Sequence, residues 1–193
     1  EHLPLGAFKA RGGINLLANL SQEERDRGVI TASTGNHGQS IANACRIFGS
    51  KALIALPEKS NPLKVAAMKA LGAELIFHGE NVDQAMVYGE RLAAEEGYRF
   101  VHPANEPLLI AGVATQTLEV IEDLPDVEVI VMPLGGGSSA AGACIVAKAT
   151  SPEIKVIAVQ SESAPGGYRS WEAGRLVEDV NQTSAEGLAT ASG

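Results

Sequence analysis

The chain has 193 residues, 45% of them hydrophobic and 20% charged, a globular balance that excludes wholesale disorder and bounds it to one large domain or two small ones. Its net charge of −8, from 15 basic and 23 acidic residues with no basic stripe, argues against nucleic acid and anionic membrane as partners. No run approaches the roughly 20 apolar residues that span a bilayer, and Glu1-His2-Leu3-Pro4 has neither the basic nor the apolar region of a secretory leader.

The first apolar, β-branched run covers 28–32 and leads into helical spacing at 37–48. A strand at 51–56 then precedes a helix at 62–71, which has Asn61 as N-cap, Pro62 at its first position and Gly72 as its stop. The alternation continues with a strand at 74–78, a helix at 82–96, a strand at 99–102 and a helix at 107–121. It ends with a strand at 127–133, a helix at 140–149, a strand at 155–160 and a helix at 164–173. Near-continuous apolar strands alternating with helices predict an α/β fold with a parallel sheet covered on both faces. The turn at Asn105-Glu106-Pro107 is a candidate passage between two lobes. Cys45 and Cys144 are too few and too far apart for a disulfide framework or a zinc site; both are expected to be small buried hydrophobes, in a reducing, cytoplasmic setting.

Ligands of open parallel sheets bind beyond the carboxyl ends of the strands, so the loops after the strands carry the information. Ser33-Thr34-Gly35-Asn36-His37-Gly38-Gln39 concentrates two hydroxyls, amides and an imidazole at a helix N-terminus, which suits a carboxylate or phosphate. Leu134-Gly135-Gly136-Gly137-Ser138-Ser139-Ala140-Ala141-Gly142 follows the strand at 127–133, and its three glycines let backbone N–H groups close around a small anion. No Lys-Ser/Thr pair follows it, so it is not a P-loop. Gly135, Gly137 and Ala140 do fit the looser G-x-G-x-x-A pattern, with Glu162 about where a ribose-binding acid would sit, which leaves a dinucleotide-binding oxidoreductase as an alternative. Near the start, Lys9 stands between Phe8 and small residues, where partial desolvation would favour a neutral, nucleophilic amine. An amine nucleophile, a phosphate cradle and a carboxylate-binding loop are what pyridoxal phosphate acting on an amino acid requires.

Gly6-Ala7-Phe8-Lys9-Ala10-Arg11-Gly12-Gly13, Ser33-Thr34-Gly35-Asn36-His37-Gly38-Gln39 and Gly135-Gly136-Gly137-Ser138-Ser139-Ala140-Ala141-Gly142 resemble, in order and spacing, the three motifs of the fold-type II pyridoxal-phosphate enzymes. The similarity is to the serine/threonine dehydratase (threonine ammonia-lyase) branch, which includes serine racemase, and 57–73 and 102–111 extend it over the chain. The resemblance implies a two-lobed, three-layer α/β/α fold like the tryptophan synthase β-subunit, with a small lobe at 28–105 and 1–27 with 106–193 belonging to a larger cofactor-binding lobe. Lys9 would carry the imine to pyridoxal 5'-phosphate and then shuttle the substrate α-proton. Phe8 would pack beside the pyridine ring and Asn36 would hydrogen-bond its ring oxygen. Ser33, Thr34, Gly35, Asn36 and His37 would grip the substrate carboxylate, and the amides of Gly135, Gly136, Gly137, Ser138 and Ser139 would hold the cofactor phosphate. The implied reaction is β-elimination from a small hydroxy amino acid, L-threonine or L-serine, giving a 2-oxo acid and ammonia. The implied assembly is a dimer or tetramer of the full-length enzyme.

Departures from the family pattern shape this expectation. Thr34 replaces the serine that serves as second acid/base in the racemases, so racemisation is the alternative and elimination the main reading. Ser138 replaces a fourth glycine, and Gln160 replaces a carboxylate that ligates metal in relatives, so no metal site is expected. Val113-Ala114 replaces a frequent Gln-Gly and has no functional reading. Family members are longer at both ends, so the chain reads as a fragment. A non-catalytic ligand-binding module is the remaining alternative. His2, His78 and His102 are scattered, His37 supports its loop or moves protons, Tyr168 and Trp171 are expected to pack a helix on the sheet, and Lys64 and Lys69 to lie in solvent.

Overall fold

Four parallel strands, β1 (Val29–Ala32), β2 (Ala52–Leu56), β3 (Glu74–Phe77) and β4 (Arg99–Phe100), form a sheet in the order β3-β2-β1-β4. The computed structural model describes residue 3 and residues 5–191; His2 lies outside them. β1 pairs with β2 from Val29↔Ala52 to Ala32↔Ala55 and with β4 at Val29↔Arg99 and Ile30↔Phe100. Both β1 and β2 are buried at every position, the signature of a strand covered on both faces. Alternate residues go to opposite sides. Val29, Ala52, Ile54 and Leu56 join a core with α1 (Lys9–Asn19), α3 (Asn36–Phe48) and α4 (Pro62–Ala70) through Leu16, Leu17, Ile41, Cys45 and Met68. Ile30, Leu53, Ala32 and Ala55 pack instead on Ala85 and Ala93 of α5 (Val82–Glu96). Each fully buried Leu or Ile is worth roughly 1.5–3 kcal/mol, so the two faces hold three layers together.

The predicted strands and helices of this region stand, with ends moved by one or two residues. Two helices were not anticipated. α1 contains Gly12-Gly13, a pair that reads as a helix breaker; a Cβ on Gly13 would lie 2.7 Å from the Ser40 carbonyl oxygen of α3, so the glycine is where two helices cross. α2 (Gln22–Arg27) is only six residues long and starts from a capping box, Ser21 and Glu24 each satisfying the other's backbone N–H.

The chain divides into two compact units, residues 1–112 and 113–193, with the division inside α6 (Pro107–Asp123). In the second unit β5 (Val129–Pro133) and β6 (Lys155–Val159) pair in parallel, Val129↔Lys155 to Pro133↔Val159. Ile130, Met132 and Ile154 pack on Ala140, Ala143 and Ala147 of α7 (Ser138–Thr150). The expectation of cover on both faces does not extend here. Val129, Val131, Ile157 and Val159 are exposed, because α7 covers one face and no element among the described residues covers the other. α8 (Gly166–Ala173) carries Tyr168 and Trp171, which pack on each other with centroids 6.2 Å apart rather than on a sheet; Trp171 is 79% exposed. Cys45 is buried as expected and its thiol is pushed up to about 12 by burial, whereas Cys144 on α7 is exposed, against expectation. A 3-10 turn, Glu186–Leu188, closes the described chain. Among the described residues no helix is long and apolar enough to cross a membrane.

Candidate active site

The strand order reverses at β1. The chain moves outward from β1 to β2 and β3, then returns to place β4 on the other side of β1. Such a switch point opens a crevice beyond the carboxyl ends of the two strands. The loop 33–35 follows β1 there and residues 101–106 follow β4. Lys9, at the start of α1, reaches the same place: its Nζ donates to the Pro103 carbonyl at 3.3 Å and stands 5.4 Å from the centroid of the Phe8 ring. Ser40 Oγ donates to the Lys9 carbonyl and ties the base of this residue to α3.

Burial pulls the Lys9 ammonium down to about 8. At pH 7.5 about a quarter of such amines are neutral, against about one in a thousand at the ordinary lysine value. The desolvation inferred from the flanking residues is therefore present, and it gives a nucleophilic amine near neutral pH.

The acceptor for Lys9 is itself held. His102 Nδ1 accepts from the N–H groups of Ala104 and Asn105, and Arg99 pairs with the buried Glu106 at 2.6 Å. Glu106 also accepts from the Leu108 N–H at the start of α6. Together these contacts fix the turn that presents the Pro103 oxygen. Sequence reading gave Arg99, His102 and Glu106 no role beside Lys9, and it passed over Thr31, although a hydroxyl inside the apolar run of β1 was a legible signal. Thr31 Oγ1 donates to the Val101 carbonyl at 2.7 Å and lies 2.9 Å from His37 Nε2. With its proton given to the carbonyl, Thr31 can only accept from His37, so Nε2 carries the imidazole hydrogen. Burial first, then the charge of Lys9 and of His102, pulls His37 down to about 3. It stays neutral, and this favours the supporting role over proton transfer. Its Nδ1 is buried without a partner.

The loop itself splits by side chain. Ser33 is buried and accepts from the Gly35 N–H at 3.2 Å, while Thr34 and Asn36 are exposed, free of the core to meet a ligand. Gly35 is the N-cap of α3 and offers no side-chain cap, so the first-turn amides of α3 are an anion site in the sense of the helix dipole.

In the second unit, Gly137 caps α7 at φ +86°, again with no side-chain cap. A Cβ at Gly135 would lie 2.8 Å from the Gly187 carbonyl oxygen, so glycine is required there by a crossing backbone. Gly136 is exposed, and Ser138 and Ser139 are buried. The turn thus buries its serines and leaves Gly136, which has no side chain, at the surface of a helix N-terminus, where a small anion is favoured. Gln160 turns its Oε1 to the Tyr168 N–H at 2.9 Å and its Nε2 is buried without a partner. Among the described residues no group of three His, Cys, Asp or Glu could hold a metal ion.

In the first unit a desolvated lysine amine beside an aromatic ring suits a carbonyl compound; in the second, a glycine turn at a helix N-terminus suits a phosphate. The comparisons agree. The profile of the family described as "Pyridoxal-phosphate dependent enzyme" matches residues 1–193. An L-threonine ammonia-lyase of Thermotoga maritima is 44% identical over 185 residues, 95% of this chain and 46% of that protein. A threonine deaminase isoform from Solanum lycopersicum superposes with a TM-score of 0.93 at 34% identity, over 98% of this chain and 56% of that one. Maize serine racemase gives a TM-score of 0.93 at 31% identity, over 98% and 58%. The chain thus spans about half the length of the relatives it matches.

Proposed function

Because the chain belongs to the pyridoxal-phosphate-dependent enzymes, we propose that its parent enzyme is an ammonia-lyase that converts a small β-hydroxy amino acid, L-threonine or L-serine, into a 2-oxo acid and ammonia. The observation that carries this reading is the desolvated Lys9 amine at the switch point between β1 and β4. Bound pyridoxal phosphate supplies an electron sink that makes the substrate α-proton removable. Lys9 would hold the cofactor carbonyl, and its amine would be the base for that proton. Phe8 packs against the ring and Asn36 donates to its oxygen. Ser33, Thr34, Gly35, Asn36 and His37 hold the substrate carboxylate, and the amides of Gly135, Gly136, Gly137, Ser138 and Ser139 hold the phosphate. The dinucleotide alternative left Lys9 and the 33–39 loop without a role, and family membership replaces it.

The same reading assigns residues 28–105 to a small lobe and 1–27 with 106–193 to a larger one, in a cytoplasmic homo-oligomer. Racemisation is the second reading, favoured by the exposed Thr34 hydroxyl, a candidate second acid/base. The test is borohydride reduction of the protein with pyridoxal phosphate, followed by peptide mapping. The expected result is a label confined to Lys9, together with release of 2-oxobutanoate from threonine or pyruvate from serine. A label elsewhere, or D-amino acid as the main product, overturns the assignment.

A further inference from the structure

We propose that His37 is a positioning residue for Lys9, its buried ring Nδ1 accepting a hydrogen bond from Lys9 Nζ when the lysine carries a proton; this rests on the reading of Lys9 as the cofactor lysine. His37 is only 6% exposed. Its Nε2 hydrogen goes to Thr31, and its Nδ1 finds no partner among the described residues. A buried acceptor left unpaired is costly, so it marks a place where a donor is due. A substrate carboxylate cannot fill that place, because it too only accepts. His37 therefore serves the 33–37 loop through its backbone, and its ring serves a donor.

Two tethers bring Lys9 to this ring. Ser40, three residues on from His37 and on the same face of α3, donates to the Lys9 carbonyl. The short segment 101–103 accepts at both ends, from Thr31 at Val101 and from Lys9 Nζ at Pro103, and Thr31 is the residue that accepts from His37. Lys9 and the imidazole thus share one corner between α3 and that segment, and the charges of Lys9 and His102 both act on His37. His102 is pinned elsewhere, its Nδ1 taking the N–H groups of Ala104 and Asn105 at 3.1 and 2.8 Å. Lys9 Nζ ends a stem of rotatable bonds and donates three ways as an ammonium, so it can keep Pro103 and meet a second acceptor. Burial keeps the ring neutral. Nδ1 therefore steadies the proton on Lys9 without taking it, which is what a lysine that has just received a substrate proton needs.

In the full-length enzyme freed of cofactor, the rate of Lys9 acetylation against pH, read by mass spectrometry, gives the titration of that amine. His37→Phe is expected to move it down by about one pH unit. His37→Asn loses the Thr31 bond equally but puts an amide oxygen where Nδ1 stood, and is expected to return the titration to within about 0.3 of wild type. In the holoenzyme His37→Phe is expected to lower kcat for threonine about tenfold, with KM within about twofold of wild type. A measurement that needs no change at His37 is nitrogen NMR of its ring: the Nδ1 signal should move as Lys9 titrates, and stay still in Lys9→Met. An unmoved Lys9 titration in His37→Phe, an equal fall in both variants, or an Nδ1 signal indifferent to Lys9 overturns the proposal. If borohydride fixes the cofactor on another lysine, the reading of Lys9 as cofactor lysine fails, and the acetylation titration still decides whether His37 holds this amine.

Discussion

The two strand-to-helix turns to which ligand binding is proposed differ in what their glycines are for. After β1, Gly35 and Gly38 make room for a neighbouring helix, and polar side chains at 34 and 36 stay outward. After β5, Gly135 makes room for a crossing backbone and Gly137 adopts a left-handed conformation, while the serines turn inward. The first turn keeps polar side chains outward beside a packed helix; the second buries its serine side chains beside a crossing backbone. A glycine-rich loop in sequence does not reveal which of these it is.

The strongest way to break the comparison is at Lys9, which lies in the same unit as the first turn and contacts the segment after β4. Lys9→Ala should lower turnover of the intact enzyme by at least about a thousandfold, measured as 2-oxo acid release. Retained turnover would remove the chemistry from this region.

Lys9 also predicts a stability change of opposite sign. Its folded value of about 8 lies below the unfolded 10.5, so the unfolded state binds more protons between these values. Stability therefore rises with pH across that window, and the cost of burying the charge is fully present below pH 8. In the cofactor-free protein, Lys9→Met should stabilise by up to about 3 kcal/mol at pH 7 and flatten the dependence between pH 8 and 10.5. Urea unfolding at a series of pH values measures both.

At the second turn, Gly135→Ala should cost about 1–3 kcal/mol, because the Cβ meets backbone at Gly187 that no rotamer change can move. It should weaken pyridoxal-phosphate binding more than threonine binding. Thermal unfolding and cofactor titration check the two parts. Thr31→Val is expected to cost less, about 1–2 kcal/mol, by unpairing the Val101 carbonyl and releasing His37. Nitrogen NMR of the ring should then show the loss of a single tautomer.

Much of the fold was legible because its punctuation is local. Asn61-Pro62 opens α4 and Gly97 closes α5 in the left-handed conformation, and the buried strands β1 and β2 read as unbroken apolar runs. Lys9 and the two turns, on which the proposed site rests, stood out in the sequence alone. What escaped depends on partners distant in sequence. α1 was hidden by Gly12-Gly13, whose reason is Ser40 of another helix. Lys64 is half-buried rather than in solvent because its stem lies along Gly35, whereas Lys69 is exposed as expected. Trp171 looked like core by composition, yet α8 leaves it in solvent.

The contrast between the two thiols has a practical side. Cys45 is buried and its thiol is pushed up to about 12, so it is inert to ordinary alkylating reagents. Cys144 is exposed on α7, the helix that begins at the glycine turn. A maleimide dye would therefore mark one position, about two turns from the amides assigned to the phosphate. The sequence thus offers a labelling position beside its second turn, where a dye would test whether phosphate binds there with no residue changed.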